Sequence, residues 1–383
     1  MLEHWTIPAV TGGVSTAQPS AGRALGKAIT ALRRGEPVLI SDHQVGALAV
    51  AAELVSEENL HRLREISQGP ASMVLTRRRA VALGLTPRKE LSGAMAIPVS
   101  FQLPAAVIRN LADPSASVGS GPLSLASEPI VAESAERAAV ALAKLASLLP
   151  TVFVLRVGTA QAALLARRGG LAAIEAAAVF KCNAAATELD RVVEARLPLT
   201  GAETARLIAF RPRDGSSEHL AILIGAPDPA VPVLVRLHSE YFISDLLASL
   251  CCDRGNQLSG AIAAITRAGS GVLLYLAQEE RGVGLINKLR AHHLQDADFN
   301  ILEANEQPGF DADERIYLPA AEILRQLGFG TVRLLTNNPE KVAALERYGI
   351  RVVERVLHVF PSNRHNERYL RKGDLEGTLS LRR

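Results

Sequence analysis

Three basic residues occupy separate polar segments in the second half of the chain. Arg236 lies in RLHSE, Arg281 in QEERG and Lys341 in NNPEKV, and the flanking sequence predicts loops for all three. Cations that converge in a fold can hold a phosphate group, and arginine can do so through two parallel hydrogen bonds. The chain has 42 basic residues, so the same three also fit a solvated surface. Spacing alone leaves both interpretations open.

Four more polar residues could complete a ligand site. Glu240 and Glu279 can accept hydrogen bonds from the edge of a base or orient a water molecule, and Gln257 offers both a donor and an acceptor. Thr336 ends a strand-like run, where its hydroxyl and the amides of the next residues can meet a phosphate or a base.

Asp313 and Arg315 lie two positions apart in the segment ADER. Side chains two apart on an extended chain point to the same side. The pair therefore predicts either a surface salt bridge or a carboxylate and a guanidinium that act on one ligand.

Composition limits the class of protein. The 383 residues, 48% hydrophobic and 21% charged, suffice for about two domains. The formal net charge of +3 comes from charges spread along the whole length, so no basic arm indicates nucleic-acid binding. Three cysteines make no disulfide framework, and no signal peptide or membrane-spanning run is recognisable. These features favour a soluble, cytoplasmic protein that binds no membrane.

The order of apolar segments predicts a mixed α/β (α+β) fold with two domains. In the first half, helices are predicted over 21–34 and 133–149, with the strand PVLIS between them, and an Ala-rich stretch covers 160–186. In the second half, strand-like runs such as VPVLVRLHS and TVRLLTN alternate with helices, and the functional loops are expected at strand ends. Composition shifts near Glu188, which predicts domains over 1–187 and 188–383.

Residues from about 191 to 370 resemble GTP cyclohydrolase II, the zinc enzyme that begins riboflavin synthesis by opening the imidazole ring of GTP. Five motifs in order and at nearly gap-free spacing carry the resemblance: RLHSE, QEERGVGLINKLRA, LEAN, GFDADER and LLTNNPEKV. The resemblance implies a homodimer that binds GTP, with Mg²⁺ accompanying the nucleotide. The residues that it assigns to nucleotide binding are Arg236, Glu240, Gln257, Glu279, Arg281, Thr336 and Lys341.

The resemblance also implies catalytic roles for Asp313 and Arg315. The matching Asp of the family accepts a proton, and the matching Arg is assigned as the group that attacks phosphorus and releases pyrophosphate. Because a guanidinium stays protonated in proteins, clamping a phosphate is the easier role for Arg315 to fill.

The sequence departs from the family at its zinc site. Three cysteines hold the metal in the family, and here the matching positions read Tyr241, Cys252 and Arg254. A phenol and a permanently charged guanidinium do not replace thiolates as zinc ligands. The neighbouring residues Cys251, His238 and Asp245 offer an alternative ligand set, although adjacent cysteines rarely converge on one tetrahedral metal. The sequence therefore predicts that zinc is absent, and it leaves open whether the imidazole ring is opened, which a rebuilt metal site would allow.

Other substitutions accompany this change. Glu280 stands where the family has a glycine, His292 where it has a tyrosine, and Ile301 where a threonine contacts the ligand. His292 or His293 could act as a general base, and packing or a surface position is the alternative.

The first half resembles a shortened 3,4-dihydroxy-2-butanone 4-phosphate synthase, an enzyme often fused ahead of GTP cyclohydrolase II. The resemblance lies in AITALRRGEPVLISD, GSGPLSL and the helix AERAAVALAKLASLLP. The family's acidic loop is represented only by Asp42 and Glu53, and its GHTEA-like segment reads SAERA from Ser134. Since Mg²⁺ needs oxygen ligands in near-octahedral geometry, this half is predicted to be non-catalytic and to serve as a scaffold or in dimerisation.

Three functions remain open on the sequence. The leading one is a GTP cyclohydrolase II homologue that binds GTP or a related purine nucleotide, with its zinc-dependent ring opening left open because two of the three zinc cysteines are replaced. The alternatives are zinc-free hydrolysis of GTP that releases pyrophosphate, and a non-catalytic nucleotide-binding partner or regulator of a riboflavin-pathway enzyme.

Overall fold

The structure is a computed structural model that describes residues 21–360, except for 67–68, 88–91, 101, 117–125, 186–187, 214–215, 279–282, 297–298, 300 and 312–315. Within these residues the predicted mixed α/β class is confirmed. Two mixed sheets are present, one built from strands between residues 38 and 175 and the other from strands between 189 and 356. The predicted boundary at Glu188 falls between them, and the division into domains over 1–187 and 188–383 stays a prediction.

The first sheet has the strand order β5-β4-β3-β6-β2-β1-β7, and all its pairs are antiparallel except β1 with β7. Two apolar cores cover its two faces. Its strands are β1 (Val38–Ser41), β2 (Gly46–Ala51), β3 (Ala71–Thr76), β4 (Ala94–Val99), β5 (Glu128–Pro129), β6 (Thr151–Val157) and β7 (Ala172–Glu175). Its helices are α1 (Ala21–Arg33), α2 (Glu57–Ile66), α3 (Arg77–Ala82), α4 (Ala105–Ala112), α5 (Ala135–Leu145), α6 (Thr159–Arg168) and α7 (Ala176–Ala185).

The predicted helix over 133–149 is shorter in the structure because the side chain of Ser134 caps α5 by accepting a hydrogen bond from the Arg137 amide. The Ala-rich stretch 160–186 divides into a helix, a strand and a second helix. The division falls at Gly169 and Gly170, whose positive φ angles of 70° and 85° favour glycine.

The second sheet has the strand order β14-β13-β11-β12-β10-β9-β8. Its strands are β8 (Leu189–Arg196), β9 (Arg206–Pro212), β10 (His219–Ile224), β11 (Val233–Ser239), β12 (Gly271–Leu276), β13 (Thr331–Leu335) and β14 (Arg351–Val356). Its helices are α8 (Phe242–Asp245), α9 (Arg254–Arg267), α10 (Leu285–Asp296), α11 (Ile301–Glu306), α12 (Leu318–Gln326) and α13 (Pro339–Arg347). No described helix is long and apolar enough to cross a membrane.

The four strands β14, β13, β11 and β12 run parallel, and the connections that leave β11 and β13 turn in opposite directions. The connection from β11 passes through α9 to β12, whereas the connection from β13 passes through α13 to β14. Helix α9 packs on one face of the sheet with Ala261 and Ile265, and α13 packs on the other with Ala344 and Leu345. In open α/β sheets, a crevice suited to a ligand forms outside the carboxyl ends of two such strands.

Candidate functional site

The crevice outside β11 and β13 is bordered by residues that the sequence singled out. Glu240 follows the last residue of β11, and Thr336 follows the last residue of β13. Helix α9 brings Gln257 to the same edge, and the first turn of α13 brings Lys341. The expected position of functional residues at strand ends therefore holds for Glu240 and Thr336.

Arg236 lies inside strand β11, so its predicted loop position is wrong. The strand VLVRLHS is buried along its whole length, and Arg236 is 6% exposed. Its guanidinium donates to the Leu335 carbonyl oxygen over 3.0 Å and to Gln257 Oε1 over 2.8 Å. The amide of Gln257 in turn donates to Asp253 Oδ2 over 2.9 Å. These bonds hold the guanidinium at one position beneath the edge.

Lys341 lies in the first turn of α13, so its predicted loop position is wrong as well. Asn338 caps this helix and Pro339 begins it, which makes the segment NNPEK a helix start rather than an open loop. The lysine is 6% exposed, and Nζ donates to the Leu237 carbonyl oxygen over 2.9 Å. Nζ also lies 6.0 Å from the centre of the Tyr317 ring, within the range of a cation–π contact.

Thr336 and Glu240 are held by backbone bonds. The Thr336 amide donates to Val356, and its hydroxyl accepts a hydrogen bond from the Asn338 amide over 3.1 Å. The Glu240 amide donates to Leu276, and its carboxyl group is half-buried. Burial, together with the nearby charge of Asp245, raises the pKa of Glu240. A raised pKa brings this carboxyl group closer to the neutral form in which it can donate as well as accept.

The buried cations act on the histidines around them. Burial lowers the pKa of His238, and the positive charges of Arg236 and Lys341 lower it further. Burial likewise lowers the pKa of His358, and Arg236 adds to that effect. Both imidazoles are therefore held towards their neutral form.

The position that the sequence resemblance matches to the family's first zinc cysteine holds a buried tyrosine. Tyr241 is 1% exposed, and its hydroxyl lies 3.1 Å from His292 Nε2. The guanidinium of Arg254 lies 5.1 Å from the centre of the Tyr241 ring. Tyr241 and Arg254, which occupy two of the three matched positions, thus contact each other through a cation–π arrangement.

His238 and Asp245, considered in sequence as substitute ligands, bind each other. His238 Nε2 lies 3.1 Å from both carboxylate oxygens of Asp245, which also accepts hydrogen bonds from the Tyr241 amide and the Tyr275 hydroxyl. Burial opposes ionisation of Asp245, but these hydrogen bonds and His238 outweigh it and lower its pKa. Cys251 is exposed and Cys252 half-buried.

The described side chains at these three positions do not supply a ligand set for a zinc ion. The part of the chain that the structure describes contains no group of three His, Cys, Asp or Glu side chains that could hold a metal. Of the three former ligand positions only Cys252 offers a thiol, and a structural or catalytic zinc needs at least three protein ligands.

Several predicted residues cannot be placed. Glu279, Glu280, Arg281, Asp313 and Arg315 lie outside the described residues. His293 is exposed on α10.

Three contacts at the edge had no sequence signal. His358 follows β14 and its Nε2 lies 2.8 Å from the Gln257 carbonyl oxygen, while Asn337 bonds both the amide and the carbonyl of His358. Tyr317 approaches Lys341 from the segment before α12. Each contact depends on which strands are neighbours in the sheet, which residue spacing does not reveal.

In the first half, the two acidic residues that the sequence singled out, Asp42 and Glu53, bind protein groups. Asp42 accepts from the amides of Gln44, Val45 and Ala135, and so closes a turn and caps α5. Glu53 accepts from the Leu149 amide and from the Arg290 guanidinium.

Comparison with known proteins identifies relatives of this chain. The family model described as GTP cyclohydrolase II matches residues 190–357. The GTP cyclohydrolase-2 of Azospirillum brasilense is 51% identical over 359 residues, which cover 92% of this chain and 92% of that protein. The riboflavin biosynthesis protein RibBA of Chlorobium phaeovibrioides is 47% identical over 182 residues, which cover 48% of this chain and 44% of that protein.

Among solved structures, RibBX, a two-domain 3,4-dihydroxy-2-butanone 4-phosphate synthase from A. baumannii, matches 88% of this chain and 99% of its own. The sequence identity is 17% and the TM-score 0.34, values too low to carry a conclusion about this chain.

Proposed function

Since this chain belongs to the GTP cyclohydrolase II family, of the riboflavin-biosynthesis type, we propose that its second half binds GTP or a related purine nucleotide in the crevice outside β11 and β13. One observation carries the proposal. Arg236, Gln257, Thr336 and Lys341 come from four separate elements and meet at the switch point of the sheet. A phosphate chain bound there lies next to two cations whose positions are fixed before binding, so little ordering entropy is lost when it binds.

The base of the nucleotide is assigned to the Glu240 side of the crevice. A carboxyl group accepts hydrogen bonds from the N–H groups of a guanine edge, and the half-buried Glu240 is oriented by the bond from its own amide to Leu276. A base that presents acceptors at the same place would face an unpaired carboxylate, which disfavours it.

We also propose that this site does not use zinc and does not open the imidazole ring. The contact between the Tyr241 hydroxyl and His292, and the guanidinium of Arg254 over the tyrosine ring, support the proposal. A bound zinc would lower the pKa of water and so generate hydroxide at neutral pH, and a neutral imidazole such as that of His292 does not replace this effect. Mg²⁺ is expected only as the partner of the bound nucleotide phosphates.

Calorimetric titration of the metal-analysed protein with GTP and Mg²⁺ tests the binding proposal, with CTP as the matched ligand that has the same phosphates and a different base. Saturable binding of GTP that exceeds that of CTP is expected. Equal binding of both nucleotides would reject the base assignment, and no binding of either would reject the site.

Product analysis after incubation with GTP tests the chemical proposal. Formate together with stoichiometric zinc would show a working ring-opening site and overturn the proposal. Pyrophosphate with an intact purine would identify the zinc-free hydrolysis, and binding without any product would identify a nucleotide-binding partner or regulator.

A further inference from the structure

Helix α10 is held from one side by the first half of the chain. The Asn287 amide donates to the Ser147 carbonyl oxygen over 3.0 Å. The guanidinium of Arg290 lies 2.7 Å from Glu53 Oε2 and 3.4 Å from Asp113 Oδ2. The side chains of Arg290 and Glu53 are 18% and 9% exposed, so this ion pair is far less screened than a pair on the surface.

Residues 306–311 of the second half are held by four first-half residues, which we call the clamp: Thr76, Arg78, Arg79 and Lys144. Two clamp residues donate hydrogen bonds to backbone carbonyl oxygens of this segment. The Thr76 hydroxyl donates to the Gly309 carbonyl oxygen over 2.7 Å, and Arg79 Nη1 donates to that of Gln307 over 3.0 Å.

The other two clamp residues form ion pairs. Arg78 binds the carboxylates of Glu306 and Asp311, and Lys144 Nζ lies 3.4 Å from Asp311. Burial would raise the pKa of Asp311, but Lys144 and Arg78 outweigh it and lower that pKa, so the carboxylate is charged at neutral pH. Burial lowers the pKa of Arg79 to about 10, which leaves this residue charged at neutral pH as well.

Two glycines allow the halves to approach closely. A Cβ atom on Gly309 would lie 2.4 Å from Thr76 Oγ1, and one on Gly284 would lie 2.8 Å from the Cβ atom of Ser147. Both residues also have positive φ angles, 99° and 83°. At these two points the first half lies so close to the backbone of the second half that a side chain would not fit.

The same second-half elements reach the candidate nucleotide site on their other side. On α10, His292 projects about 200° around the helix from Arg290 and contacts Tyr241. Past the clamp, Ile316 accepts a hydrogen bond from Gln278 over 2.6 Å, and Tyr317 lies beside Lys341. Since Ile316 is five residues after Asp311, the chain can separate these two residues by no more than about 18 Å.

We propose that the first half is a positioning domain for the nucleotide site of the second half. Through α10 and residues 306–311 it fixes the elements that carry His292 and Tyr317, while the residues assigned to the nucleotide all belong to the second half. This inference rests on the proposed function. In this role Glu53, one of the two acidic residues that the sequence singled out in the first half, acts as the partner of Arg290.

The experiment compares the full-length chain with Arg78→Met, which keeps the aliphatic stem and removes the two ion pairs that Arg78 makes. Arg78→Lys, which retains the charge, is the conservative variant. Arg213→Met is the matched control because it makes the same change at a solvent-exposed ion pair with Asp190. For each protein the affinity for GTP is measured by calorimetry and backbone hydrogen exchange is followed over residues 285–317.

Arg78→Met is expected to bind GTP about 2- to 30-fold more weakly, the usual range for coupling between sites. Its exchange is expected to rise in 285–311 and at Ile316 and Tyr317, with the strands β10 to β13 unchanged. Arg78→Lys should recover part of the affinity, and Arg213→Met should match the unmodified protein. If the unmodified chain binds GTP and Arg78→Met binds equally well, the positioning role is wrong while the proposed function stands. If the unmodified chain binds no nucleotide, both proposals fail.

Discussion

Replacement of Lys341 by methionine is the most direct test of the proposed phosphate site. Methionine keeps an unbranched side chain of similar length and removes only the charge and the three donors. The lysine is 6% exposed at the start of α13, so methionine can occupy the same space among apolar neighbours. Arg347→Met on the same helix is the matched control, because Arg347 is exposed and lies in the last turn, at the opposite end of the helix from Lys341.

Two opposing effects set the change in stability. The variant loses the hydrogen bond from Nζ to the Leu237 carbonyl oxygen, and a bond from a charged donor is worth about 1.5–3 kcal/mol. It also avoids the cost of burying an ammonium group, which is of similar size or larger. We therefore expect the free energy of unfolding to change by less than about 2 kcal/mol, which leaves the variant folded.

The effect on binding has no such compensation. A charge-assisted hydrogen bond to a phosphate oxygen contributes about 1–3 kcal/mol, so its loss weakens GTP binding by about 5- to 150-fold. Calorimetric titration with GTP and Mg²⁺ gives the dissociation constant, and denaturant unfolding checks that both variants are folded. An unchanged affinity in folded Lys341→Met would remove this residue from the site. A loss equal to that of Arg347→Met would mean that only long-range charge matters.

Three further predictions follow from the described contacts. The double variant Tyr241→Cys, Arg254→Cys should bind zinc, because two thiolates join that of Cys252. Metal analysis should find one zinc ion per chain, and a double variant without zinc would disprove the assignment of these positions. Burial holds the pKa of His238 below its value in the unfolded state, so the unfolded state binds more protons in acid and the free energy of unfolding falls from about pH 7 to 5. His238→Gln should flatten this fall when the free energy of unfolding is measured by denaturant titration at each pH. An unchanged dependence on pH would exclude His238 as its source. Gly309→Ala should lower the free energy of unfolding by about 1–3 kcal/mol more than Gly349→Ala. Both glycines have positive φ, but of the two only Gly309 has an atom within 3 Å of the new Cβ. Equal losses of stability in the two variants would contradict the close approach at Gly309.

The family and the main elements were predictable from sequence. The resemblance carried by five motifs is confirmed by the 51% identity to the Azospirillum brasilense protein. Strands β11 and β13 were expected within a few residues of their observed bounds, because the apolar runs that predict strands depend on near neighbours. For the same reason Thr336 was expected at the end of a strand, where it lies.

The surroundings of the cations were not predictable. Arg236 and Lys341 were expected on loops because charged residues are seldom buried, yet both are more than nine-tenths buried. The oxygens that they bind belong to Leu335 and Leu237, 99 and 104 positions away. Only the arrangement of β11 beside β13 brings these groups together, and spacing along the chain carries no information on strand order.

What the amino-acid sequence alone determined is the family and the α/β class, since each depends on residue types and local order. What only the tertiary structure decided is which side chains meet across the fold. Tyr241 meets His292 across 51 positions, and Thr76 meets Gly309 across 233. Contacts at such separations are set by how the sheets and helices pack, because the energy that fixes them comes from burial and hydrogen bonding between elements and not from the local preferences of the chain.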